Sequence, residues 1–408
     1  MDLSTGTLSW LETIPSPPSY PTLTEDLSCD VLVIGAGEAG SLCTYMLTEK
    51  GVKVVVVDKR SVGRGSTSAN TGLLQFASDK TLTSCINTLG KEEGVRYYTL
   101  SLEAVKSIGT ICSKLAFDPQ FIPRESLYYA SSEEDIPALK QEYETLKKYG
   151  FEVSYWDTEK IQKHYSFAKP GAIFSSGDAE INPYRFAHAL IYTSHQNGAK
   201  VYEHTEIQRH TADKGGITFF TKDNKKIRAK KAIIAAGYEA QEIKKNPNAV
   251  LASSYAIATQ PFEDFSGWHN RSLVWETARP YLYIRTTADN RIIVGGEDEP
   301  TNITAERDAM LLNKKEVLLN KLHELFPEYK DAKADYFWSA TFGGTHDGLP
   351  LIGEQEEFPH CYFPLGYGGN GTVYSTIAAE ILSEIIVNGS HPDADLFKFN
   401  RNPKASGV

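Results

Sequence analysis

The sequence predicts an α/β protein, α+β overall, with a Rossmann-like dinucleotide-binding domain and a second domain built on a mostly antiparallel sheet. Residues 30–60 contain two apolar runs separated by a glycine-rich turn and a helical pattern, as in a βαβ unit. Residues 232–237, AIIAAG, are typical of a buried strand that returns to the same sheet. Residues 255–260, 281–286 and 292–295 have the composition of strands in a separate sheet.

The glycine-rich turn has the spacing G-x-G-x-x-G, at Gly35, Gly37 and Gly40, directly after the apolar run 31–34. These glycines permit, in order, a tight turn, close approach of the backbone to a pyrophosphate and close packing of helix on strand. Asp58 follows the second apolar run, where a carboxylate accepts hydrogen bonds from a ribose diol and disfavours a 2′-phosphate. The pattern predicts a site for FAD or NAD and argues against NADP.

Length and charge limit the function further. The chain has 408 residues, more than one core usually supports, so two domains are expected. Its 42 basic and 52 acidic residues give a net charge of −10, which argues against nucleic acid or an anionic membrane as a partner. The five cysteines are scattered without any C-x-x-C, so we predict no disulfide framework and no metal site. With no secretory signal and no apolar run near the ~20 residues of a membrane span, a cytoplasmic protein is expected.

The domain organisation follows from these patterns. We assign residues 1–29 to an N-terminal arm, residues 30–80, 166–250 and 339–408 to the dinucleotide-binding domain, and residues 81–165 and 251–338 to the second, substrate-binding domain. Within the first domain, residues 63–72, GRGSTSANTG, form a polar loop directly behind the ribose-binding strand. The loop is either an ordinary surface loop or a source of hydroxyl and amide contacts to phosphate and sugar.

Four features occur together in one order: the βαβ unit, GSTSANTG at 65–72, AIIAAG, and DGLPLIG at 347–353 followed by LGYGGNGT at 365–372. In this the chain resembles the FAD-dependent amine and D-amino-acid oxidoreductase family, which includes glycine oxidase and sarcosine oxidase. A further stretch, YxR…RIIVGGED, is similar to γ-glutamylputrescine oxidase-like members. The resemblance implies FAD as the cofactor, with a helix near Asn370 directing its positive end at the flavin.

The motif and the resemblance together give one set of candidate cofactor-binding residues. They are Gly35, Gly37, Glu38, Ala39, Gly40, Asp58, Lys59, Arg60, Gly65, Ser66, Thr67, Asn70, Gly72, Leu73, Ile207, Ala236, Gly237, Gly368, Gly369, Asn370, Gly371 and Thr372.

Three departures from the family pattern bear on the chemistry. Phe342 stands where glycine and D-amino-acid oxidases carry an arginine for the substrate carboxylate, which disfavours a simple α-amino acid. Ala340 stands where sarcosine oxidase attaches its flavin to a cysteine, so FAD is expected to be non-covalent. Ile293 replaces a lysine that sarcosine oxidase uses toward oxygen, so the electron acceptor is either oxygen or another molecule.

The candidate catalytic residues are Tyr283, Arg285, Phe342 and His346. Alternation places Tyr281, Tyr283 and Arg285 on one face of a strand, either toward the substrate or packed and paired at the sheet surface. His346 is either a site base or a structural residue beside Asp347. In addition, Glu297 and Asp298 either attract a substrate ammonium group or lie in a solvated loop.

The leading hypothesis is an FAD-dependent oxidoreductase that oxidises the C–N bond of an amine or amino-acid-like substrate. Hydride passes to the flavin, and the resulting imine is hydrolysed. The alternatives are an NAD-dependent dehydrogenase and a non-catalytic flavin-binding redox protein.

Overall fold

The computed structural model describes residues 1–401. Its strands are β1 (Ser4–Gly6), β2 (Leu27–Ile34), β3 (Val54–Val57), β4 (Leu73–Leu74), β5 (Ile122–Tyr129), β6 (Val153–Asp157), β7 (Gly171–Glu180), β8 (Lys200–Tyr202), β9 (Ile207–Asp213), β10 (Gly216–Thr221), β11 (Lys226–Ile234), β12 (Ala249–Thr259), β13 (Leu273–Glu276), β14 (Leu282–Thr286), β15 (Ile292–Glu299), β16 (Ala334–Thr345), β17 (Leu351–Glu354) and β18 (Cys361–Leu365).

The α-helices are α1 (Glu38–Glu49), α2 (Leu82–Leu89), α3 (Lys91–Cys112), α4 (Ile136–Lys148), α5 (Thr158–His164), α6 (Pro183–Gln196), α7 (Ala240–Ile243), α8 (Thr304–Leu325), α9 (Gly371–Asn388) and α10 (Ala394–Phe397). No helix within residues 1–401 is both long enough and apolar enough to cross a membrane.

The eight-stranded sheet contains the predicted βαβ unit. Its strands run in the order β17-β18-β11-β2-β3-β8, and a β10–β9 extension is joined through β11. The central segments 31–34, 54–57 and 232–234 are apolar because helices cover them, and α1 packs against α6 and α9. As the AIIAAG segment predicts, β11 returns to this sheet and pairs in parallel with β2, with Ile234 opposite Ile34.

The ten-stranded sheet is largely antiparallel, in the order β1-β16-β12-β15-β14-β13-β5-β7-β4, with β6 paired to β7. The mixed α/β architecture and the antiparallel second sheet are therefore confirmed. Helix α8 packs on this sheet through β12, β15 and β16.

Several strands do not lie in the sheet that the sequence assigned to them. β4 and β7 fall in ranges expected for the dinucleotide-binding domain, yet both belong to the ten-stranded sheet because β7 pairs antiparallel with β5. β16 crosses the expected boundary at 338/339, and β1 of the N-terminal arm extends the sheet beside it. The domain ranges remain predictions, and residues 402–408 of the last range lie outside the described residues.

The helix boundaries follow local sequence signals, with one exception. Asn182 caps α6 by accepting a hydrogen bond from the Arg185 backbone N–H at 3.0 Å, and Gly389 ends α9 at a φ of 91°. The exception is α3, which begins at Lys91 although Gly94 lies in its first turn. Gly94 lowers the helical propensity there, but a Cβ at this position would lie 2.8 Å from the Ile86 backbone nitrogen of α2. Close packing of the two helices therefore requires glycine.

Candidate active site

One elongated cavity of about 480 Å³ passes the carboxyl ends of β2 and β3 and reaches β14 of the other sheet. Most of the candidate cofactor-binding residues line it: Gly35, Gly37, Glu38, Ala39, Asp58, Lys59, Arg60, Gly65, Ser66, Thr67, Asn70, Leu73, Ile207, Ala236, Gly237, Gly368, Gly369, Asn370 and Gly371. Gly40, Gly72 and Thr372 lie outside that lining. Their roles are therefore indirect, through packing or hydrogen bonds.

The glycine turn has the geometry that its motif predicts. Gly35 has a φ of 110°, and a Cβ there would lie 2.3 Å from the Ala235 carbonyl oxygen. A Cβ on Gly40 would lie 1.8 Å from the Gly35 carbonyl oxygen. Helix α1 begins at Glu38 beside the cavity, where Gly37 supplies no side-chain cap and the Glu38 backbone N–H donates to the Thr67 hydroxyl at 3.0 Å. The turn is a cradle that larger side chains would fill, and it fits a dinucleotide pyrophosphate.

Asp58 lies at the end of β3 and lines the cavity. Its two carboxylate oxygens accept hydrogen bonds from the backbone N–H groups of Ala36 and Arg60, each at 2.7 Å. Burial raises the pKa of this carboxyl, while the two N–H donors oppose the shift. Asp58 thus fixes the glycine turn as well as presenting acceptor lone pairs to the cavity, a structural role that the motif alone does not reveal.

The cofactor loop, residues 65–73, is held by side chains from three distant segments. The indole N–H groups of Trp10 and Trp338 donate to the carbonyls of Asn70 and Ala69, at 2.6 and 2.9 Å. Arg285 Nη1 donates to the carbonyls of Thr71 and Gly72, at 3.1 and 2.6 Å. The four successive carbonyls of residues 69–72 are therefore all paired.

This placement contradicts the expectation that Arg285 faces the substrate. The side chain is 2% exposed, and Nη1 and Nε also donate to the Ile181 and Thr286 carbonyls, both at 2.8 Å. Arg285 does share a strand face with Tyr283, but beyond Tyr283 that face is covered by the cofactor loop and by Trp10, whose ring lies 5.5 Å from the guanidinium carbon. Arg285 is a positioning residue for the loop.

The C-terminal glycine segment closes the cavity from the other side. Gly368 has a φ of 126°, and Asn370 donates to the carbonyls of Gln75 and Ala77, at 2.9 and 2.7 Å. Helix α9 begins at Gly371 with no side-chain cap. As the resemblance predicts, a second uncapped helix start therefore lies beside the cavity.

Glu38 connects this helix start to α1 and to the cofactor loop. Its carboxyl accepts hydrogen bonds from the Thr372 hydroxyl at 2.7 Å and the Asn70 amide at 2.9 Å. Asn70 also donates to the Thr372 hydroxyl oxygen at 2.9 Å. Burial raises the pKa of the Glu38 carboxyl to about 7.

The far end of the cavity is aromatic and acidic. Its walls include Tyr281 and Tyr283, with ring centroids 5.7 Å apart, and Phe342. Asp298 also lines it; burial raises the pKa of this carboxyl to about 6, and the nearby charge of Asp79 adds to the increase. Asp79 is exposed at the cavity, where the Arg279 charge and a hydrogen bond from Tyr281 favour its ionised form.

Two other predicted positions, Glu297 and His346, lie away from the cavity lining. The Glu297 carboxylate pairs with Lys314 and with Lys321 on α8, so it is directed away from the cavity. His346 is exposed, and its backbone N–H donates to the Asn248 carbonyl at 3.1 Å. This contradicts its proposed role as a site base.

Sequence reasoning missed Asp79, Gln75 and Trp275, which all line the cavity. Asp79 and Gln75 lie just after the cofactor loop, but neither forms a recognisable motif. Trp275 lies on β13, which was not among the strands identified in the sequence.

Comparison with known proteins identifies the family. The sequence model of the DAO family, which is described as FAD dependent oxidoreductase, matches residues 30–385. A probable oxidoreductase, OrdL, of Haemophilus influenzae is 24% identical over 399 residues, which cover 95% of this chain and 89% of that protein. γ-Glutamylputrescine oxidoreductase of Escherichia coli is 25% identical over 388 residues, 90% of this chain and 85% of that protein.

Among solved structures, glycine oxidase from Geobacillus kaustophilus has the same fold, with a TM-score of 0.77 at 20% identity, covering 92% of this chain and 99% of that one. The family match disfavours both alternatives, an NAD-dependent dehydrogenase and a non-catalytic flavoprotein. The dinucleotide cradle, the two helix starts beside the cavity and the match over residues 30–385 agree. The chain belongs to the DAO family of FAD-dependent oxidoreductases, enzymes that act on the C–N bonds of amines and amino acids.

Proposed function

We propose that this enzyme oxidises cationic amines in preference to small α-amino acids. One observation carries the proposal. At the aromatic end the cavity is lined by two carboxyl groups, Asp79 and Asp298, while the lysine and arginine among the described lining residues are Lys59 and Arg60, next to Asp58. Arg279 lies beside Asp79 and offsets the charge of that carboxyl, so Asp298 is the group that attracts an ammonium and repels a carboxylate.

FAD held by the residues that line the cavity would supply the two-electron oxidation of the substrate C–N bond. The protein's own residues position the substrate. Tyr281, Tyr283 and Phe342 supply apolar surface that excludes water, and the acidic groups orient the ammonium end. Hydrolysis of the resulting imine completes the reaction.

Non-covalent FAD and the electron acceptor also belong to this proposal. Among the described residues that line the cavity there is no cysteine and no histidine, which supports non-covalent binding. Ile293 is fully buried in an apolar cluster with Trp10 and Trp338, so no lysine acts on oxygen from that position. Oxygen uptake measured beside reduction of an artificial dye distinguishes oxygen from another acceptor.

The free state of all five cysteines supports a reducing, cytoplasmic location.

The substrate proposal is tested with Asp298→Asn. Loss of a charge-assisted hydrogen bond to ammonium costs about 1.5–3 kcal/mol. The kcat/KM for amines should therefore fall roughly ten- to hundredfold. Glu297→Gln is the matched control, because that neighbouring carboxylate pairs with α8 lysines, and it should leave kcat/KM unchanged.

The pH profile gives an independent measurement. An acid with a pKa of about 6 is ionised above that pH and neutral below it. For cationic amines the wild-type kcat/KM should fall as the pH drops through about 6, and Asp298→Asn should remove this decrease. If glycine, sarcosine or D-alanine is the best substrate and Asp298→Asn has no effect, the proposal is wrong.

A further inference from the structure

Glu38 occupies an unusual place for a carboxyl group. It is the first residue of α1, lines the cavity and is 7% exposed, at a helix end whose partial positive charge serves a pyrophosphate. A fixed negative charge here would repel the phosphates of the cofactor. The sequence therefore places an acid where the ligand brings two charges of the same sign.

The hydrogen bonds to this carboxyl come from neutral groups. Within residues 1–401 its donors are the Thr372 hydroxyl on α9 and the Asn70 amide on the cofactor loop, one to each oxygen. The turn before α7 contributes Tyr238, whose phenol interacts with the Glu38 charge. The first turn of α9 contains no acidic residue. Besides Glu38, the charged groups that share the cavity are Asp58, Lys59, Arg60, Glu206, Glu239 and Glu242 on the ribose side, and Asp79 and Asp298 on the aromatic side.

In the empty protein, the positive ends of α1 and α9 favour an ionised carboxylate, whereas burial opposes it. Burial is the largest effect and the hydrogen bonds from Thr372 and Asn70 oppose it, so the pKa of Glu38 is raised to about 7. A bound pyrophosphate takes over the helix end, adds like charge and displaces water. Each change favours the neutral acid. The Thr372 hydroxyl then accepts a hydrogen bond from the protonated carboxyl, since a hydroxyl both donates and accepts.

We propose that Glu38 takes up a proton when FAD binds, so that cofactor affinity and proton binding are coupled at this residue. The inference rests on the family's cofactor and is independent of the proposed substrate.

The expected pH dependence follows from linkage. Below about pH 7 the carboxyl is neutral with or without FAD, so affinity is constant. Above that pH the empty protein loses the proton and must regain it on binding. The dissociation constant should then rise about tenfold per pH unit until the holoenzyme itself ionises.

The test measures FAD release from diluted holoenzyme by flavin fluorescence over a pH series. Wild type should show a dissociation constant that is flat at low pH and rises from about pH 7. Glu38→Gln keeps the shape and removes the proton, so its profile should lose this rise. The control is Glu203→Gln, a buried carboxylate that accepts from the Tyr20 and Val62 backbone N–H groups and does not line the cavity. It should keep the wild-type rise.

A second variant covers the case in which Glu38→Gln retains no FAD. Thr372→Val removes the hydroxyl donor that favours the ionised carboxylate. The pKa of Glu38 should increase, and the rise in the dissociation constant should begin at a higher pH than in wild type. A flat wild-type profile, a rise that persists in Glu38→Gln, or an onset unchanged by Thr372→Val would each overturn the proposal.

Discussion

Replacing Arg285 with methionine tests whether this residue holds the cofactor loop. The change keeps most of the apolar volume and removes the guanidinium that donates to four carbonyls, those of Thr71, Gly72, Ile181 and Thr286. An unpaired buried carbonyl costs about 1–3 kcal/mol, and removing one partner from a buried charged contact typically costs about 3–5 kcal/mol in all. We expect a loss of about 3–5 kcal/mol, because relaxation recovers part of the sum.

The effect on the cofactor should be separable from the effect on stability. Thr71 lines the cavity, so a displaced loop should weaken FAD binding at least about tenfold, or about 1.4 kcal/mol. Unfolding in urea, followed by tryptophan fluorescence at fixed FAD, measures the loss of stability. Flavin release on dilution measures the loss of FAD affinity.

The matched control is Arg291→Met, on the adjoining strand hairpin. Arg291 binds Asp289, Asp335 and the Thr259 carbonyl near the surface. Its loss should cost about 1 kcal/mol and leave FAD affinity unchanged. The role of Arg285 in holding the cofactor loop is refuted if Arg285→Met loses no more stability than this control and releases flavin no faster.

Three further predictions concern the cofactor site. Asp58→Asn should raise the FAD dissociation constant roughly ten- to hundredfold in a flavin-release titration, because it removes a charged acceptor. The same change should lower the stability of the protein, because the backbone N–H of either Ala36 or Arg60 then faces an amide NH₂. Acid precipitation should release all flavin to the supernatant, and a flavin-bearing peptide in the pellet would contradict non-covalent binding. Gly40→Ala should lower the free energy of unfolding in urea by about 1–3 kcal/mol, because its Cβ would overlap the Gly35 carbonyl. The control is Gly344→Ala, whose Cβ meets open space and should leave the free energy of unfolding nearly unchanged.

The cofactor half of the site was predictable because its signals are local. A glycine spacing, the strand before it and the acid after it all lie within 31 residues of sequence, 30–60. Their geometry follows from backbone constraints that a single segment can satisfy. The same holds for the start of α9 near Asn370.

The substrate half was harder to predict because it depends on long-range packing. Alternation placed Arg285 on the correct face, but the sequence does not reveal that the cofactor loop and Trp10 cover that part of the face. In β15, Gly296 and Glu297 have φ values of 131° and 56°, and the register with β12 shifts nearby. This bulge breaks the alternation, so Asp298 lines the cavity while Glu297 pairs with α8.

The hydrogen bonds that Trp10, Arg285 and Trp338 donate to the cofactor loop determine when the loop can be completed during synthesis. Carbonyls at residues 69–72 depend on Trp10, made first, and on Arg285 and Trp338, made in the last third of the chain. A nascent chain that already contains the glycine turn, Asp58 and the AIIAAG strand still has part of this loop unpaired. We therefore expect FAD to be retained only after synthesis has passed residue 338. A fragment ending near residue 250 should fail to hold the flavin although it contains the entire dinucleotide motif.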